Sequence, residues 1–210
     1  MNPSAKKNFI YSSIYQVLVL VLPLITTPYV SRIFGAENLG IYSYTNTIAQ
    51  YFVIFAMLGL NNYGNRAVAM ARDNQDELDC VFSEIYTMQI VTGLVSLFVY
   101  LGYAIFLSNE YKTYSVILTL YVLSAVFDIN WLFFGLEKFK LTVTRNSIIK
   151  IGSVIAIILF VKSKEDLWIY TSIYAVSMLL STIVLWPYAR KEVHYHFPKF
   201  KDVLKHIQPN

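Results

Sequence analysis

One carboxylate, Asp128, stands inside an otherwise charge-free run of 24 residues from Thr113 to Leu136. A charged group near a bilayer centre costs about 2.5–3.5 kcal/mol on insertion scales. Asp128 must therefore be protonated, paired, or exposed to water in a cavity. Lys150, on the next apolar stretch, is a partner by chain order; the bland alternative is a lysine snorkelling to the cytoplasmic face. Arg32 and Arg66 sit at the ends of apolar runs, where a solvated or headgroup-bound arginine is the ordinary case. Lining a cavity instead, these cations would suit a phosphate-bearing substrate, because a guanidinium fork matches phosphate oxygens.

Other chemistries find no residues to carry them. There is no Walker loop and no dinucleotide fingerprint. His194 and His196 form an isolated His-x-His in a basic tail without a third ligand in view. The single cysteine, Cys80, excludes a disulfide framework and a four-cysteine zinc site. The 17 basic residues are scattered, which removes the concentrated face that nucleic acid requires. No cofactor is expected. Asp73, Asp76, Glu77 and Asp79 precede an apolar run, where acids favour a helix N-terminus.

The elements that must position these residues are membrane helices. Apolar residues make up 56 % of the 210-residue chain, charged residues only 14 %, and mean hydropathy is +0.50; a soluble domain carries about 25 % charged residues. Charge-free runs cover 8–31, 38–65, 85–109 and 167–189, and weaker cases cover 113–136 and 142–161. A spanning helix needs about 20 apolar residues. The reading is an all-α membrane protein, a bundle of six transmembrane helices in residues 1–190. The expected spans are 8–31, 39–60, 81–107, 113–136, 142–161 and 167–189, with a basic cytoplasmic linker at 191–210. Pro23 and Pro28 fall inside the first span, where neighbouring groups must satisfy the freed carbonyls. That run is too long for a signal-peptide core.

Six spans place both termini on one side. Thirteen lysines and arginines fall there, against four (Arg32, Lys112, Lys162 and Lys164) on the other. The positive-inside rule makes the richer side cytoplasmic. Tyr100, Tyr103, Tyr111 and Tyr114 bracket one outer loop, and Trp168 and Tyr170 open the last span, as interfacial anchors do. The 61–80 connection begins with an amphipathic stretch. No loop is long enough for a catalytic domain outside the membrane.

Several spans carry polar stripes at helical spacing: Ser12, Gln16, Pro23 and Thr27; Ser43, Asn46 and Gln50; Gln89, Thr92 and Ser96; Tyr121, Ser124, Asp128 and Trp131. Interhelical hydrogen bonding and a hydrophilic cavity both account for them. No Gly-x-x-x-Gly motif supports a simple helix dimer.

Four stretches carry a resemblance. LITTPYVSRIFGAENLGIYSY (24–44), LGLNNYGNRAVA (58–69), FSEIYTMQ (82–89) and FDINWLFFGLEKFK (127–140) resemble, in order, bacterial polysaccharide flippases. These are the Wzx-type O-antigen and capsule repeat-unit transporters of the multidrug/oligosaccharidyl-lipid/polysaccharide exporter superfamily. The resemblance implies movement of undecaprenyl-pyrophosphate-linked oligosaccharide between leaflets of the bacterial cytoplasmic membrane, without a cofactor. It implies two six-helix lobes around a central cationic cavity that opens alternately, with this chain as the amino-terminal lobe. Arg32, Asn61, Arg66, Asp128 and Trp131 lie within the matching motifs and become cavity or gating candidates; Lys150 is added from outside them. The implied partners are the lipid-linked oligosaccharide, membrane lipids, and a second transporter lobe or polysaccharide-assembly proteins.

The departure is length, since family members have twelve or more spans. The expectation is a fragment, an early stop or half of a split gene. Alternatives are a drug/cation exporter or lipid II flippase of the same superfamily, a membrane glycan polymerase or acyltransferase, and a non-transporting relic or scaffold. Short outer loops count against the enzyme; the 127–140 stretch counts for the polysaccharide branch.

Overall fold

The computed structural model describes residues 3–198, with side chains described at Val17 and from Leu20 onward. Ser12, Gln16, Lys6, Lys7 and the 199–210 segment lie outside the described residues or side chains. Every described element is helical, and no strand occurs among the described residues. The longest, α1 (Pro3–Met57), runs through residues 8–31 and most of 39–60. It is kinked at Gly35, whose φ of 68° and ψ of −173° only glycine adopts readily. The expected outer turn is thus one residue, with helix on either side. The chain runs through Pro23 and Pro28 as helix.

Leu58 and Gly59, both at positive φ, end α1. Helix α2 (Leu60–Ala71) follows. It is the amphipathic stretch seen in the sequence, with Leu60, Gly64, Ala67, Val68 and Ala71 buried. Helix α3 (Gln75–Gly102) starts on Asn74, whose side chain accepts from the Asp76 and Glu77 amides. It closes in a π-helical turn, Tyr103–Leu107. Helix α4 (Lys112–Val126) and the short α5 (Asn130–Gly135) follow, then α6 (Phe139–Phe160), α7 (Leu167–Ile183) and α8 (Trp186–Ala189).

Four stretches of the described residues are long and apolar enough to cross a membrane: Gln75–Leu107, Lys112–Gly135, Phe139–Phe160 and Lys164–Ala189. The 22 residues of α6 rise about 33 Å at 1.5 Å each, enough for a hydrocarbon core of about 30 Å. Helix α4 packs on α7, α1 and α3, and α1 also packs on α3 and α6.

Polar loops gather at the two ends of the bundle. At one end Arg72 pairs with Glu137 at 2.6 Å, and the carboxylate raises the guanidinium pKa above its ordinary value. There too Lys138 pairs with Glu192 at 2.5 Å. The chain after α8 returns across the start of α3. The His194 amide donates to Asp79 Oδ1 at 2.9 Å, Gln75 Nε2 donates to the Glu192 carbonyl at 2.9 Å, and the His196 amide donates to Ser83 Oγ at 3.1 Å. Asp79 therefore holds this strap. At the other end Tyr29 Oη donates to the Val161 carbonyl at 2.7 Å and Asn38 Nδ2 to the Lys164 carbonyl at 2.9 Å.

Candidate functional site

The continuous span expected over 113–136 is interrupted. Helix α4 ends at Val126 and α5 begins at Asn130, with Phe127, Asp128 and Ile129 between them. A break inside a membrane helix leaves carbonyls that water cannot reach. Here side chains meet them. Gln89 Nε2, on α3, donates to the Ala125 carbonyl at 2.7 Å and to the Asp128 carbonyl at 2.8 Å. Trp186 Nε1 donates to the Phe127 carbonyl at 3.2 Å. Gln89 Oε1 accepts from Trp131 Nε1 at 2.9 Å, so both faces of this buried amide are engaged.

The Asp128 carboxylate turns back to open α5. Its Oδ1 accepts from the Asn130 amide at 3.0 Å and from Asn130 Nδ2 at 2.6 Å. Asn130 Oδ1 in turn accepts from Arg145 Nη2, on α6, at 3.0 Å. One amide thus bridges carboxylate and guanidinium. Arg145 also donates to Asn146 Oδ1 at 2.7 Å.

Asp128 opens onto a cavity of about 310 Å³ between α1, α4, α6 and α7, and Lys150 lines the same cavity. Tyr121, Ser124, Asn130, Asn146, Ser177, Ser181 and Thr182 complete its polar wall. The Ser124, Ser177, Ser181 and Thr182 hydroxyls each donate to a carbonyl three residues back. Their oxygens keep lone pairs to accept with. Lys150 lies halfway along α6, 11 residues from Phe139 and 10 from Phe160. That is about 16 Å from either end. At about 30 Å³ per water the cavity holds roughly ten. It is too small for a whole oligosaccharide.

The other candidates lie elsewhere. Arg32 is exposed three residues before the Gly35 kink, and Asn61 and Arg66 are exposed on α2. Arg66, expected at a helix end, is mid-helix, because α2 is a helix of its own. Trp131 is fully buried, packed against Phe82 and the Gly64 backbone. The polar stripes divide accordingly. Thr92 donates to the Ala56 carbonyl and Ser96 to the Phe52 carbonyl, both at 2.7 Å, so the α3 stripe joins helices. Tyr121, Ser124 and Asp128 line the cavity.

Asn130 and Arg145 escaped the sequence reading. The Asp-x-Asn spacing at 128–130 is the signal that was available, because a carboxylate two residues back can take the amide of a helix start. Arg145 reads as one more cytoplasmic charge until α6 is seen to begin at Phe139.

The model of the polysaccharide biosynthesis protein family matches residues 5–210. The chain belongs to that family. Two curated relatives share the name "Putative O-antigen transporter". One, from Escherichia coli (strain K12), is 28 % identical over 184 residues, covering 86 % of this chain and 44 % of its own length. The other, from Shigella dysenteriae, is 25 % identical over 180 residues, covering 85 % of this chain and 45 % of its own. Both are named as transporters rather than enzymes. The family member described here therefore spans less than half the length of these relatives. No solved structure matches it.

Proposed function

We propose that this chain is one lobe of a flippase that carries undecaprenyl-pyrophosphate-linked oligosaccharide repeat units across the bacterial cytoplasmic membrane by alternating access, for surface polysaccharide synthesis. The observation that carries the reading is the family match over 5–210 together with a polar, charged cavity within the helix bundle. Six spans are assigned: two in α1 on either side of Gly35, then α3, α4 with α5, α6, and α7. Both termini are cytoplasmic under this assignment, consistent with the clustering of Arg72, Lys138 and the 192–196 strap at one end.

A second lobe supplies the opposing wall, since a cavity of about 310 Å³ lies at the low end for even drug-sized ligands. Arg32, Asn61 and Arg66, all exposed in this lobe, face the shared space or its gates. Asp128, Trp131 and Lys150 act from within the bundle.

Complementation tests the reading. The chain, alone and joined to the carboxy-terminal half of a relative, is expressed in a bacterium lacking its O-antigen flippase. Restored surface polysaccharide from the joined protein is the expected result. Failure of both, despite normal membrane insertion, removes the flippase assignment. Restoration by the chain alone removes the need for a second lobe.

A further inference from the structure

After the Gly35 kink, α1 carries a polar stripe on its exposed side. Ser43, Thr47 and Gln50 are all exposed. Their spacing of four and then three residues lines them up on one face, over about 10 Å at 1.5 Å per residue. Asn46, grouped with Ser43 and Gln50 by sequence spacing, instead hydrogen-bonds Tyr174 on α7. A second column stands beside the first: Tyr44 and Tyr51, two turns apart, are 55 % and 59 % exposed.

The other spans present a different surface. Midway along α3, α6 and α7 the exposed side chains are apolar, among them Val95, Phe98, Ile151, Ile155, Val176 and Leu180. Among the described residues, α1 is not one of the four stretches apolar enough to cross a membrane. Under the six-span assignment Gln50 lies 11 residues from Leu39 and 10 from Leu60, about 15–16 Å from either end. Hydrocarbon at that depth offers its amide nothing to bond, so polar side chains there face water or a polar partner.

The stripe is also neutral. No charged residue occurs from Asn38 to Asn65, so nothing on it pairs with a pyrophosphate. Hydroxyls and a carboxamide both donate and accept, which matches the hydroxyls of a sugar. The negative ring face of tyrosine suits the C–H face of a pyranose. A packed helix would select small residues in place of the two tyrosines.

We infer that Ser43, Thr47 and Gln50, with Tyr44 and Tyr51 beside them, contact the sugar residues of the transported oligosaccharide during its passage. This contact rests on the flippase reading and names the part of the substrate that this face of the lobe takes. It leaves the pyrophosphate to cations elsewhere.

Photocrosslinking in a full-length flippase containing this lobe decides it. The photoreactive amino acid p-benzoylphenylalanine replaces Thr47, or Val95 on the apolar exposed side of α3 as a control, in cells that make the lipid-linked oligosaccharide. After irradiation the protein is purified, treated with mild acid to cleave the sugar–pyrophosphate bond, and stained for glycan with periodate. Glycan kept by the Thr47 protein and absent from the Val95 protein is the expected result, per unit of membrane-inserted protein. Gln50→Leu should lower the Thr47 adduct about fivefold, the worth of one net hydrogen bond. Tyr51→Ala should lower it as well, and Tyr51→Phe should keep it, because the ring face makes the contact. An adduct with the other lobe, with phospholipid or with the isoprenoid alone overturns the inference, as does no adduct, or one unchanged in both Gln50→Leu and Tyr51→Ala. Surface polysaccharide made by the same cells with the unmodified protein separates the two readings. Export without a glycan adduct sinks the sugar contact alone; no export removes the flippase reading and the contact with it.

Discussion

Gln89 and Trp131 are joined by a hydrogen bond of 2.9 Å from the indole to the amide oxygen, across two helices and with both side chains fully buried. The same Gln89 amide nitrogen holds the Ala125 and Asp128 carbonyls. One side chain thus fixes the end of α4, the turn that carries Asp128, and the start of α5.

Gln89→Leu removes those three bonds at once and strands an indole N–H and two carbonyls. Buried polar groups without partners cost about 1–3 kcal/mol each in water-soluble proteins, whereas interhelical bonds in membranes average nearer 0.6 kcal/mol. A loss of about 2–3 kcal/mol is expected, read as a lower midpoint of thermal unfolding in detergent. Gln89→Glu keeps the acceptor for Trp131 and loses the donors, so it should fall between Leu and wild type. An unchanged midpoint in Gln89→Leu would mean that water or neighbouring groups satisfy the break.

Asp128→Ala and Arg66→Ala, in a full-length flippase containing this lobe, should reduce polysaccharide export without lowering protein level. Asp128 opens onto the cavity and Arg66 is exposed on α2. Lys150→Met should behave like Asp128→Ala, because the two line one cavity from different helices. Export is read as surface polysaccharide per unit of membrane-inserted protein. Wild-type export from these variants would sink the site assignment.

Asp128 and Lys150 were legible in the sequence because a charge inside an apolar run has few roles. The bundle was legible for the same reason, since runs free of charge have nowhere to go but a membrane. The break at 127–129 was not. Phe127, Ile129, Trp131 and Leu132 read as one apolar helix, and only the distant donors Gln89 and Trp186 make an interruption affordable there. Trp131 sits inside a family-like motif, and its position gave no sign that its ring would be packed on Gly64 rather than facing the cavity. The kink at Gly35 was hidden similarly: any of several residues between 32 and 38 could have turned the chain, and glycine supplies a conformation rather than a pattern.

Gly135→Ala should destabilise the lobe. A Cβ at Gly135 would meet the Val68 side chain at 2.6 Å and the Asn65 carbonyl oxygen at 2.8 Å. The carbonyl belongs to the α2 backbone and cannot step aside, so α2 and α5 must separate. Overpacking of this kind costs about 1–3 kcal/mol. Gly64→Ala meets the Trp131 ring at 2.8 Å and should be of similar size. The pair are neighbours across one interface, so the double variant should cost less than the two single losses together. Thermal unfolding of the three proteins in the same detergent gives the comparison, and a Gly135→Ala protein as stable as wild type would show that the α2–α5 contact yields freely.

Cys80 provides the test of sidedness. It is the only cysteine in the chain, it is exposed, and it lies in the first turns of α3 beside the strap that ends in His194 and His196. With that end of the bundle cytoplasmic, a membrane-impermeant maleimide should label inside-out vesicles and leave right-side-out vesicles unlabelled. Cys80→Ser supplies the background, since no second thiol can react. The neighbouring Glu84 carboxylate accepts from the thiol at 3.3 Å. Labelling from the outer face alone would invert the topology, place Arg32 and Lys162 in the cytoplasm, and leave the positive-inside count without its physical basis.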